Sequence, residues 1–82
     1  MSAMKHRETE HSRDRQQQIL YAIATYTKQH GYPPTVRDIA AEVGFKTPSA
    51  VRHQLDKLRD RGLVDWVDGA ARTIRIVKEG AA

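Results

Sequence analysis

The chain has 82 residues, enough for one small domain with a thin core and too few for a second lobe, a lid or a deep cleft. Fourteen Lys and Arg against ten Asp and Glu give a net charge of +4, which favours an acidic partner, with nucleic acid the commonest. Cysteine is absent, excluding disulfides and thiolate metal sites, and no apolar run approaches the roughly 20 residues of a membrane span.

The opening residues, MSAMKHRETEHS, are polar and lack the apolar stretch of a secretion signal, so a cytoplasmic location is expected. Residues 1–11 hold too few apolar side chains to cover a core and read as a disordered tail. Ser12 has the chemistry of an N-cap, with Asp14 in the first turn where a negative charge suits the helix dipole. Gln16, Ile19, Ile23, Tyr26 and His30 then recur at three- and four-residue spacing, with Leu20 widening the stripe, which predicts an amphipathic first helix ended by Gly31.

Tyr32-Pro33-Pro34 is held extended, because each proline biases its predecessor away from the helical region. Thr35 is the next N-cap and Asp38 the acid of a capping box, so a short second helix carries Val36, Ile39, Ala40 and Val43 inward and ends at Gly44. Thr47-Pro48 starts a third helix with a hydroxyl cap and a proline at the first helical position. Only four residues separate Val43 from Pro48, the spacing of a helix-turn-helix. The third helix is expected over 48–61, with Gly62 as its stop. Val51, Leu55 and Leu58 share an inward arc, and Ser49, His53, Asp56 and Asp60 project from the opposite side, flanked by Arg52 and Lys57.

After Gly62 the period changes to two. Residues 63–67 and 73–77 are β-rich runs joined by Asp68-Gly69-Ala70-Ala71-Arg72. Val64, Trp66, Ile74 and Ile76 face inward, with Asp65 and Arg75 outside. The predicted fold is α+β, mainly α: a three-helix winged helix-turn-helix with a C-terminal two-stranded β-hairpin wing. It occupies residues 12–78, followed by a short tail at 79–82.

The excess positive charge is concentrated. Lys46, Arg52, Lys57, Arg59 and Arg61 against Asp56 and Asp60 give the segment 46–61 a net of +3, leaving +1 for the rest of the chain. A helix packed through one stripe, with basic groups on its free sides, meets phosphates while its N-terminal residues reach base edges. The alternative is a solvated helix face, with Arg52 and Asp56 paired four residues apart. Lys46 and Lys57 are the expected phosphate partners, joined by Arg72 at the wing tip and Arg37 near the start of the second helix. Arg59 lies nearer the core edge and is assigned no contact. Tyr21, Tyr26, Tyr32, Phe45 and Trp66 are scattered singly over the elements, which favours packing over base stacking.

Gly31 to Thr35 reads G-Y-P-P-T, Val36 to Ala40 V-R-D-I-A, and Val43 to Phe45 V-G-F. Thr47-x-Ser49 precedes H-Q-L-x-x-L at His53 to Leu58 and R-G-L at Arg61 to Leu63. In this order and spacing, over about residues 15–78, the chain closely resembles the N-terminal DNA-binding domain of the LexA family, bacterial SOS-response repressors that answer DNA damage. The resemblance implies double-stranded DNA as partner, read as a palindromic operator by a homodimer whose third helix enters the major groove. Thr47, Ser49, Ala50, Arg52 and His53 match the family's base-reading positions, with Arg52 the expected guanine reader. The wing, from Gly69 to Arg72, is implied to touch the DNA backbone. Full-length members continue into a self-cleaving Ser-Lys peptidase domain that this chain does not contain, so it reads as an excised domain or a free-standing relative.

As a single copy it is expected to be a monomer or weak dimer off DNA. No enzyme is expected: the histidines at 6, 11, 30 and 53 lack ligand spacing, and there is no phosphate loop or nucleophile elbow. No cofactor, metal, membrane or small-molecule ligand is expected. The competing readings are a protein-docking winged helix and a non-specific DNA-binding module.

Overall fold

The computed structural model describes residues 2–77, with side chains from Arg13 onward. Three helices, α1 (Ser2–His30), α2 (Val36–Val43) and α3 (Pro48–Asp60), precede two short strands, β1 (Val64–Asp65) and β2 (Arg75–Ile76). The strands pair antiparallel, Val64 with Ile76 and Asp65 with Arg75. This is the helix-turn-helix with a hairpin wing that the sequence pattern describes.

The punctuation marks act as their chemistry requires. Thr35 is extended, its Oγ1 accepts from the Asp38 N–H at 3.1 Å, and the Asp38 carboxylate accepts from the Thr35 N–H at 3.0 Å. This reciprocal box meets two of the orphan donors of α2. Gly44 closes the helix at φ +92°, donating to the Ala40 carbonyl. Only a residue without Cβ adopts that left-handed turn without strain. Thr47 caps α3 through the Ala50 N–H at 3.2 Å, with Pro48 directly behind it.

The core is one cluster drawn from every element. Ile19, Leu20 and Ile23 of α1 meet Ile39 and Ala40 of α2, then Val51, Leu55 and Leu58 of α3, and Leu63, Val64 and Ile74 close it from the hairpin. A polar strut crosses this core. Gln16 is 6% exposed, donates to Gln54 Oε1 at 3.2 Å and accepts from the Arg61 guanidinium at 2.7 Å. A buried amide so placed holds α3 at a defined rotation against α1.

Four expectations are corrected. The first helix begins at Ser2, not at Ser12; residues 2–11, read as a disordered tail, continue the helical backbone. Their Ala, Met, Lys, Arg and Glu are good helix formers, and extending a formed helix is far easier than nucleating one. His30, placed on the inward stripe, is exposed, its ring lying 4.1 Å from that of Tyr26. Phe45 and Trp66 pack against the core as expected, but Tyr21 is 74% and Tyr32 44% exposed. Tyr21 faces outward from α1, and Tyr32, in the link after it, lies against Tyr26 and the Arg72 guanidinium instead. The strands are two residues each, not five. Between them the backbone is held by side chains: Thr73 Oγ1 accepts from the Val67 N–H at 2.9 Å and bonds the Val67 and Ala70 carbonyls. The tail at 79–82 lies outside the described residues. Among the described residues no helix is long and apolar enough to cross a membrane.

Candidate nucleic-acid interface

Helix α3 is buried along one stripe and bare along the other. Val51, Leu55 and Leu58 are fully buried, whereas Ser49, Arg52, His53, Asp56, Lys57 and Asp60 are exposed. At 100° per residue the exposed set covers an arc of about 140° centred on Ser49 and Asp60. Thr47 and Lys46 stand exposed just ahead of it, and Ala50 is half-buried at its margin. The helix therefore presents a continuous polar face whose first turn is open to an approaching ligand.

The fold brings further candidates to this face. Arg37, exposed in the first turn of α2, lines a shallow groove with Ser49 and Arg52. Arg52 also borders a concavity of about 360 Å³ between α3 and the wing, together with Gly69, Ala70 and Arg72. Arg52 thus stands where the two depressions meet. His53 and Lys57 lie on the far side of the same arc. Gly69, at φ +81°, sits at the exposed turn of the wing.

Bonding separates the cations into two groups. Among the described residues Lys46, Arg52, Lys57 and Arg37 have no ion pair; the Arg52–Asp56 pairing of a merely solvated face is absent. Arg59 is engaged inside the protein: its Nε donates to Asp65 at 3.0 Å, a second nitrogen donates to the Trp66 carbonyl at 3.1 Å, and the guanidinium lies 4.1 Å from the Trp66 ring centre. Asp65 titrates below its ordinary value because the Trp66 N–H, and then Arg59, hold its ionised form. Arg59 therefore fixes the base of the wing to α3, in keeping with its assignment to the core edge.

Arg72 departs from the other wing-tip candidates. Its guanidinium points back to the body: one nitrogen, Nη1, shares its two hydrogens among the Tyr26 hydroxyl, the Pro33 carbonyl and the Asp38 carboxylate, each at 3.3 Å, and the head covers the Tyr32 ring at 4.7 Å. Asp38 lies below its ordinary pKa chiefly through the Thr35 backbone N–H, with Arg72 adding to the effect. The Gln16 strut and the arginine clamps were invisible to sequence reasoning. They join residues up to 46 positions apart, and no local pattern marks such a pair. Among the described residues no cluster of three or more His, Asp or Glu could hold a metal.

A three-helix body, a helix bared along its polar face and an adjoining hairpin define a winged helix-turn-helix protein. Residues 10–73 match the model of the LexA DNA-binding domain, and the chain belongs to that family. It is 42% identical to the LexA repressor of Clostridium kluyveri over 71 residues, covering 87% of this chain and 35% of that protein. It is 42% identical to the LexA repressor of Erwinia tasmaniensis over 65 residues, 79% of this chain and 32% of the relative. Against the LexA repressor of Marinobacter nauticus the figure is 44% over 62 residues, 76% and 31% of the two chains. The chain thus spans about a third of the length of these relatives.

Proposed function

We propose that this chain reads double-stranded DNA as the operator-binding module of a LexA-type transcriptional repressor, with α3 in the major groove. The observation that carries the reading is the bare face of α3. It joins hydrogen-bonding side chains at the helix N-terminus to unpaired cations at its flanks, the division of labour between base readout and phosphate positioning. Thr47, Ser49, Ala50, Arg52 and His53 meet base edges, and Arg52, reaching from the rim of the groove, takes guanine O6 and N7. Lys46, Lys57 and Arg37 neutralise phosphates, and the Gly69 turn of the wing approaches the backbone. Two copies bind the halves of a palindrome, associating weakly or not at all before DNA unites them. The chain itself performs no chemistry; it acts by occupying the site.

A selection from a random duplex pool at near-physiological salt tests the reading. Enrichment of an inverted repeat is expected, its half-site spacing giving the geometry of the pair. Arg52→Ala should relax one base position per half-site, at a cost of about 1–3 kcal/mol in discrimination. Retention of DNA without enrichment would mean backbone binding alone. No retention would put protein docking in its place.

A further inference from the structure

The tip of the wing has little to hold it in place. The ladder ends at Asp65 and Arg75; of residues 66–74, outside any strand pairing, Trp66 and Ile74 at the two ends pack on the core, and the turn between them does not. Thr73 closes this loop on itself but does not orient it. Towards α3 the turn from Gly69 to Thr73 borders an open concavity. Arg59 fastens its base. At the tip one side chain reaches the body.

That side chain is Arg72. Its backbone sits at φ +58°, in the left-handed region that L residues rarely adopt. Such a conformation persists only where the surroundings over-determine it. The surroundings are the Tyr26 hydroxyl at the end of α1, the Pro33 carbonyl in the interhelix link, the Asp38 carboxylate at the start of α2, and the Tyr32 ring beneath the guanidinium. The three acceptors gather round one guanidinium nitrogen, Nη1, while the flat, delocalised head lies over the Tyr32 ring, a stacking that a compact, strongly hydrated ammonium does not reproduce. Asp38 also caps α2, so one carboxylate ties the wing tip to the first helix of the helix-turn-helix.

We infer that Arg72 is a positioning residue for DNA binding: it locks the wing against α1 and α2 and sets where the Gly69 turn meets the duplex, without contacting a phosphate itself. This rests on the DNA-reading function proposed above. The lock is formed in the free protein, so the loop's ordering is complete before binding.

Two measurements decide it. The first uses free protein and no DNA. Backbone amide relaxation by NMR should show Gly69, Ala70 and Ala71 rigid in the wild type and mobile in Arg72→Ala, the order parameter falling from about 0.85 towards 0.6 or lower. The second uses the duplex enriched in the selection and follows affinity against salt. Arg72→Ala should weaken binding about ten-fold, the cost of ordering the loop on DNA. Arg72→Lys, which keeps the charge but not the flat head stacked on Tyr32, should fail to restore it.

The double variant Tyr26→Phe/Asp38→Asn keeps Arg72 and an acceptor for the Thr35 N–H, yet removes two of the clamp's partners. It should weaken binding in the same direction, and non-additively with Arg72→Ala. The salt slope should stay at the wild-type value in all of them. A direct phosphate contact predicts the reverse: Lys rescues, the slope falls by about 0.9 in Arg72→Ala, and the double variant binds normally. That pattern, or an unchanged wing in the relaxation data, overturns the inference. If the wild type retains no duplex, the DNA reading fails, and the relaxation experiment alone still decides whether Arg72 holds the wing.

Discussion

Thr47 carries two roles that a single set of substitutions can separate. Its hydroxyl caps α3 by accepting the Ala50 N–H at 3.2 Å, and its position at the mouth of the helix makes it a base-reading candidate. Pro48, one place on, has no N–H to satisfy, so the Thr47 bond serves one of few exposed donors in that turn. Removing it in Thr47→Ala should cost about 1 kcal/mol, which in a domain of this size lowers Tm by about 4–8 °C. Thr47→Ser should melt with the wild type.

Thr47→Asp decides the matter, because a carboxylate caps as well as threonine and gains from the helix dipole. Its Tm should match or exceed the wild type. The same charge, set against a phosphate-lined groove, should weaken duplex binding about ten-fold at moderate salt. Thermal melts followed by circular dichroism and titrations followed by fluorescence anisotropy read the two effects independently. An Asp variant that binds like the wild type would refute the placement of the α3 N-terminus on DNA. An Ala variant that melts like the wild type would refute the capping argument.

Leu55 is 1% exposed in the centre of the core, and Leu55→Ala should cost about 2–5 kcal/mol, read in urea titrations as a lower midpoint at unchanged slope. Lys46→Ala and Lys57→Ala should each flatten the dependence of log K on log salt by about 0.9 while weakening all duplex sequences alike; a sequence-dependent loss would make them base readers. Strong acid should loosen the clamped corner. Asp38 is held below its unfolded value of about 3.8, chiefly by the Thr35 N–H, so its contribution is complete above that pH and is lost as the pH falls through the lower folded pKa. Asp38→Asn should therefore lower Tm near neutrality and narrow its gap to the wild type in melts taken progressively below pH 4.

The helix-turn-helix was legible in the sequence because its boundaries are local chemistry. Thr35 with Asp38, Gly44, and Thr47 with Pro48 each carry their signal within four residues, and each acts in the structure as that signal says. The buried stripe of α3 follows from periodicity in the same way. Periodicity misjudged the ends of α1, where His30 falls on the stripe but the core has already finished. It also misjudged the wing. β-propensity reads side-chain types, but strand length is set by which backbone groups find partners. Arg59 and Thr73 supply those partners from side chains, ending the ladder after two pairs.

The division of labour among the cations follows from their shapes. Arginine takes the internal positions: Arg59 on Trp66, Arg72 on Tyr32, Arg61 on Gln16 and Arg15 over Phe45 at 4.6 Å. There a flat head that stacks and donates along fixed directions outperforms a hydrated point charge. Lysine stands exposed at 46 and 57, where, on the proposed DNA reading, a point charge towards phosphates suffices. The consequence reaches affinity. Of the five basic groups in 46–61, Arg59 and Arg61 are spent on the fold, so Lys46, Arg52 and Lys57 face solvent beside Asp56 and Asp60. A bare face with a net charge of about one attracts DNA weakly by field alone. On the function proposed above, binding strength then comes from base contacts, a fixed wing and the joining of two half-sites, each of which rewards the right sequence and geometry more than phosphate density.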